Sequence, residues 1–229
     1  MMPFVLLKDL YRWRKIGYRL REWFGRVFRH EIFTAIESGA DEEALRLGSQ
    51  RVLTRARDEW GRSPLIAAIN KCRSALVQEF IRRGGMRTGD GSLVHASMAG
   101  DIAAVRMLLA ANKDPNESLP HADTHDNRYT PLMWAANRRF VPIVQALLEA
   151  GADVNGMGAD GTTAIMCTLK AEPADLEILD VLCRYKADVT VTDWRGRNII
   201  HEARDRARYS GKPEMQKILE RYYPNINFD

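Results

Sequence analysis

Residues 130–155 read TPLMWAANRRFVPIVQALLEAGADVN, a stretch that spells out a helix, a turn and a second helix and yet cannot stand alone. Thr130 and Pro131 open the first helix, and Leu132, Ala135 and Ala136 give it a narrow face of small and medium apolar side chains. In the second helix Ile143, Val144, Leu147 and Leu148 place apolar residues at i, i+1, i+4 and i+5, and Gly151 stops it. A pair of this size buries too little surface to fold by itself, so its apolar faces require similar neighbours on both sides.

Those neighbours are present in the sequence. Aligned on Leu132, the equivalent positions are Ile32, Leu65, Leu93, Leu132, Ile165 and Ile200, at spacings of 33, 28, 39, 33 and 35 residues. A motif returning at a spacing of about 33 residues marks a stacked array. SPLIAAI (63–69), LVHAS (93–97), TPLMWAA (130–136), TAIM (163–166) and NIIHEA (198–203) resemble the TPLHxAA helix start of ankyrin repeats. LLEAGADVN (147–155), LCRYKADVT (182–190) and FIRRGG (80–85) resemble the family's LLxxGADVN ending, and AGDIAAVRMLL (99–109) resembles its second helix.

The resemblance implies an all-α ankyrin-repeat solenoid of helix-turn-helix units with short β-hairpin loops. It spans residues 30–224 in about six units, with residues 225–229 left as a C-terminal tail. Ala135 and Ala136 let adjacent helices approach closely, and Lys186, at the place of Gly151, is a less comfortable helix stop. His201 falls on the family's TPLH histidine, which implies a hydrogen bond between neighbouring loops. The departures lie in loops. The first unit drifts after IFTAIESGADEEAL, the third is short before its first helix, and KDPNESLPHADTHDNRYT (113–130) is about six residues too long by the repeat's own count. Extra residues also fall around Glu172-Pro173 and around Ser210 to Pro213.

Charge is distributed unevenly. The net +4 of the 229-residue chain resides in residues 1–30, where eight Lys/Arg face two acids; the rest holds 26 basic and 28 acidic residues. Leu6, Leu10, Trp13, Gly17, Leu20, Phe24 and Val27 recur at steps of four and three, which predicts a basic amphipathic helix over residues 1–29. Three roles fit it: a cap on the first repeat, a helix lying on an anionic membrane surface, or a contact for a partner. Neither a membrane-spanning run nor a secretory signal is expected. Cys72, Cys167 and Cys183 are odd in number and widely spaced, which fits reduced thiols and a cytoplasmic address better than disulfides.

Chemistry finds little support. His121, Asp123, His125 and Asp126 offer metal-ligand types, but Pro120 and the turn formers around them break the helical spacing that would converge the imidazoles. No phosphate loop, dinucleotide fingerprint, zinc-protease or hydrolase motif occurs, and carboxylates such as Asp160 and Glu202 are ordinary surface residues, so no catalytic residue, cofactor or metal is expected.

What remains is a surface. The resemblance implies a concave face of hairpin tips and first helices. Its variable positions are Trp60 and Arg62, Asn127 and Tyr129, and Trp194, Arg195 and Arg197 at the tips, with Asn70, Lys71, Asn137, Arg138 and Lys170 at the helix ends. Exposed Trp, Tyr and Arg have the composition of binding hot spots. The expected function is a non-enzymatic interaction module, monomeric, gripping an acidic patch on a partner protein as a stoichiometric inhibitor, immunity-type antagonist or adaptor. The alternative is a peripheral membrane-associated scaffold anchored by the N-terminal helix. Nucleic acid has no base-reading motif to support it.

Overall fold

The structure, a computed structural model, describes residues 31–119, 128–168, 175–192, 196, 198–211 and 213–228. The helix expected over residues 1–29, the cluster from His121 to Asp126 and the insertion at Glu172-Pro173 lie outside the described residues. The described helices are α1 (Glu31–Ser38), α2 (Asp41–Leu47), α3 (Gln50–Arg55), α4 (Pro64–Asn70), α5 (Ser74–Arg82), α6 (Ser92–Ala99) and α7 (Ile102–Ala110). They continue with α8 (Pro131–Asn137), α9 (Val141–Glu149), α10 (Ala164–Cys167), α11 (Leu176–Arg184), α12 (Ile199–Ser210) and α13 (Glu214–Tyr222).

Sequence dictates where these helices start. Thr130 accepts a hydrogen bond from the Met133 N–H and is followed by Pro131; Ser63 does the same for Ile66 and is followed by Pro64. Asp101, Asp175 and Asn198 cap α7, α11 and α12 in the same way. Each short first helix ends in a turn that reuses one geometry. The N–H groups of Ala40, Arg73, Asp101 and Phe140 reach back to the carbonyls of Ala35, Ala68, Ala96 and Ala135, at 2.9 to 3.1 Å. Between them sit Gly39, Cys72, Gly100 and Arg139, all with positive φ. Gly100 is needed for a second reason: a Cβ there would lie 2.6 Å from the Phe140 ring of the next unit.

The helices form two rows. The inner row runs α1, α4, α6, α8, α10, each packed on the next, and the outer row runs α2, α5, α7, α9, α11, α13. Ile32, Leu65, Leu93, Leu132 and Ile165 are buried in the inner row and belong to one continuous core; in the last unit Ile199 takes the fully buried place and Ile200 is half-buried. Six helix pairs are thus stacked, the all-α repeat architecture expected from the sequence.

Three local results differ from or refine the sequence reading. The hairpin loops are reduced, among the described residues, to one antiparallel bridge between Met157 and Thr163 and to tight tips such as Asp58 to Arg62. Residues 113–117, read above as the start of the long loop, instead belong to the regular end of the third unit. Asn116 Oδ1 accepts from the Asp153 N–H at 2.7 Å, as Asn155 Oδ1 accepts from the Asp188 N–H at 2.7 Å one unit later. The physical reason is that Asn112 adopts φ 59 in place of glycine, so the turn closes without the GADVN consensus. Lys186 takes φ 61 at the corresponding stop. Ile226 and Phe228, in the expected tail, fold back against the core.

Candidate interaction surface

The tip before α4 is built around a single carboxylate. Asp58 Oδ1 accepts from the backbone N–H groups of Trp60 and Arg62, at 3.0 and 2.8 Å, while Oδ2 takes the Arg62 Nε at 2.7 Å. Gly61, with φ 76, lets the chain reverse so that the Asp58 N–H can donate to the Arg62 carbonyl. The outcome is a fixed turn that displays Trp60, 64% exposed, with the Arg62 guanidinium 4.3 Å from its ring centroid. A cation held over an indole face is worth about 0.5–1 kcal/mol at an exposed site. Behind it His95 of α6 is half-buried, and burial, with the nearby Arg62 charge, lowers its pKa.

Two units on, the same kind of tip behaves differently. Tyr129, expected at a solvent-facing tip, is 7% exposed: its ring stands edge-on to Trp134 at 5.7 Å and its hydroxyl donates to Asp160 Oδ2 of the next tip at 3.4 Å. The correction follows from Trp134, whose large half-buried ring on α8 offers Tyr129 an apolar partner that Trp60 lacks. Arg138 is exposed, with its guanidinium 6.0 Å from the Trp134 ring. Lys71 and Arg138 are the C-cap residues of α4 and α8, where a cation complements the helix dipole, and Asn70 and Asn137 beside them are half-buried. Of the remaining positions expected on this face, Asn127, Lys170, Trp194, Arg195 and Arg197 lie outside the described residues. His201 is exposed, and its backbone N–H donates to Asn198.

A buried charge cluster braces the tip between these two. Lys113 is 5% exposed and places Nζ against Asp90 Oδ1 at 2.5 Å and Glu117 Oε2 at 3.1 Å. Glu117 also accepts from the N–H groups of Leu93 and Gly91, at 2.6 and 3.3 Å, and so caps α6, whose own N-cap residue Gly91 has no side chain. Burial raises the Glu117 pKa; Asp90, which burial alone would also raise, is held low by bonds from Lys113, Ser92 and Arg87. Sequence reasoning missed this group, although a lysine at the place where Ala152 and Ala187 are buried was a visible signal.

None of the three cysteines is in a disulfide: Cys72 is exposed, Cys167 and Cys183 are buried, and burial, with Asp180, pushes the Cys183 thiol up to about 12. Among the described residues no group of three or more His, Cys, Asp or Glu side chains could hold a metal ion.

The family model for ankyrin repeats in three copies matches residues 117–193, which carry the fourth and fifth of the described helix pairs, α8/α9 and α10/α11. The chain contains an ankyrin-repeat domain. Stacked helix pairs also lie on both sides of the matched segment, from Glu31 to Tyr222. The domain is similar to part of the E3 ubiquitin-protein ligase XBAT33 of Arabidopsis thaliana, with 35% identity over 112 residues, 48% of this chain and 21% of the ligase. It is similar also to a probable E3 ubiquitin-protein ligase of Oryza sativa, XBOS33, at 34% over 112 residues, 48% of this chain and 20% of that protein. Palmitoyltransferase akr1 of Schizosaccharomyces pombe matches at 39% over 71 residues, 31% of this chain and 10% of that protein. The chain thus spans between 10% and 21% of the length of these relatives. Ankyrin domains are in general non-catalytic scaffolds, and a general role in protein–protein interaction is what the domain supports here.

Proposed function

We propose that this ankyrin domain binds one partner protein in its concave groove and acts by occupying or localising it, as a stoichiometric inhibitor, an immunity-type antagonist or an adaptor. What carries the proposal is Trp60, a large aromatic held in the open by the Asp58 carboxylate rather than left on a loose loop. A rigid exposed indole loses little conformational entropy on binding, and its desolvation favours association, as at interface hot spots. Lys71 and Arg138, exposed at the ends of the inner helices α4 and α8 and without an ion pair to a described carboxylate, favour a partner with an acidic patch. A monomeric chain in the cytoplasm, where its thiols stay reduced, completes the proposal.

The test compares capture from native lysate by the wild-type chain, by Trp60→Ala and by Lys71→Glu/Arg138→Glu. One protein should be retained by the wild type at near-equal stoichiometry and lost by both variants. Equal retention by all three would refute the groove assignment.

A further inference from the structure

The first unit departs from the others at the end of its outer helix, and the departure builds a second basic surface. Where the later units turn directly after the outer helix, the first inserts α3, capped by Ser49, whose hydroxyl accepts from the Val52 N–H. One face of α3 is locked inward: Leu53 is fully buried, and a Cβ on Gly85 would meet its Cβ at 3.1 Å. The other face carries Arg51 and Arg55, both exposed and four residues apart, therefore stacked on one side of the helix about 6 Å apart along its axis. Arg57 follows, its Nη1 donating to the carbonyls of Thr54 and Ala56 at 3.2 and 2.6 Å. Arg87, arriving from the end of the next unit, also donates to the Thr54 carbonyl, at 3.5 Å.

Four exposed guanidinium groups therefore line the outward side of α3 and the turn that follows it. None of them forms an ion pair with a described carboxylate. Of the nearby acids, Asp58 is paired with Arg62, and Asp90 is paired with Lys113 and accepts from the Arg87 backbone N–H, which leaves Glu59 as the acid of residues 51–62 without an ion pair among the described residues. Three residues beyond Arg57 stands Trp60.

We propose that the α3 arginines are the carboxylate-gripping half of the binding surface, and that the partner presents there an extended acidic segment followed by an apolar residue that meets Trp60. The spacing favours this occupant. Alternate side chains on an extended strand lie about 6.6–7 Å apart on one face, which matches the rise between Arg51 and Arg55, and a forked guanidinium suits a carboxylate bidentately. The inference rests on the interaction-module reading and adds the chemistry of the partner.

The probe is a fluorescein-labelled decapeptide alternating Glu and Ser and ending in Leu, with its Gln analogue as control, titrated by anisotropy into the intact chain. The wild type should bind the Glu peptide and not the Gln peptide, with affinity falling between about 50 and about 300 mM salt. Arg51→Glu/Arg55→Glu should weaken binding by about tenfold or more. Arg106→Glu/Lys217→Glu, an equal charge change on the outer helices α7 and α13, should leave it within about twofold. Both pairs are exposed, so thermal melts of the two variants should match the wild type. Equal losses in the two variants would reduce the effect to net charge and overturn the proposal. So would capture of the wild type by phosphatidylserine vesicles, lost in Arg51→Glu/Arg55→Glu, with no peptide binding. A native partner lost by Trp60→Ala but kept by Arg51→Glu/Arg55→Glu would overturn this inference alone and leave the groove reading standing.

Discussion

Lys113 fills the place that Ala152 and Ala187 occupy in later units, so an ammonium is buried where the repeat normally keeps a methyl group. Its two carboxylate partners also bond the backbone at the start of α6, which ties the charge pair to a helix terminus. Replacing Lys113 by Met would leave Asp90 and Glu117 facing each other without a cation, and should cost about 3–5 kcal/mol at neutral pH by urea denaturation. The pH dependence carries a sign. Burial raises Glu117, so its contribution is present below its unfolded pKa and is lost as pH rises through the folded value; Asp90 is held low and contributes above its unfolded pKa, losing that contribution as pH falls. Without Lys113 both acids shift upward, and the deficit of Lys113→Met against wild type should shrink as pH falls from about 7 to about 5. His95, lowered by burial and partly raised by Asp90, also loses its contribution on acidification. A deficit that is constant with pH would mean the lysine acts through packing alone. Residue types in the sequence did locate the tips, but not their exposure. Trp60 and Tyr129 are both tip aromatics there, but in the repeat register Tyr129 matches Arg62, directly before the helix cap, and its ring packs on Trp134.

Elements were legible where a cap or stop is encoded locally. Thr130-Pro131 and Ser63-Pro64 each fix a helix start through one hydroxyl and one ring, and the structure puts α8 and α4 there. Elements set by long-range packing were not: α3 is only six residues long and is held by Leu53 against a glycine of the next unit, a contact no local pattern announces. The end of the third unit was misread for a related reason, because Asn112 and Lys113 stand in for Gly and Ala and the substitution is made good by the Asp90 side chain 23 residues away in sequence and the Arg87 backbone carbonyl 26 residues away. The helix stop at Lys186 supplies a test at this scale. A non-glycine residue at φ 61 costs about 1–2 kcal/mol, against about 0.5–1 kcal/mol of extra chain entropy that glycine would lose on folding. Lys186 is exposed, so Lys186→Gly should stabilise the protein by about 0.5–1 kcal/mol, read as a higher denaturation midpoint at unchanged slope. A destabilised variant would show that the lysine side chain makes a contact worth more than the strain.

Across the described residues the main helix contacts run within a unit or between neighbouring units, so stability is approximately a sum of unit terms and interfaces. The last unit is fastened by a defined set of contacts. Asp180 of α11 accepts from the Tyr222 hydroxyl at 3.0 Å and from Arg221 at 3.3 Å, Tyr223 donates to the Ala187 carbonyl, and Leu219 is fully buried. The near-consensus unit around Leu132 has packed neighbours on both sides. Truncating either leucine to Ala removes a similar packing energy, about 2–5 kcal/mol, but the consequences should differ with position. In Leu219→Ala the loss exceeds what one interface can supply, so α12 and α13 should open alone: their amides should exchange early while those of α8 and α9 keep wild-type protection. In Leu132→Ala the stack is cut at its centre, and protection should fall across the described units together, with a single lowered thermal transition. Hydrogen exchange followed by mass spectrometry reads both outcomes from one pair of proteins. If α8 and α13 lost protection equally in Leu219→Ala, the array would melt as one block, and the interface between the fifth and sixth units would be stronger than its few polar contacts and the buried Met215 and Leu219 account for.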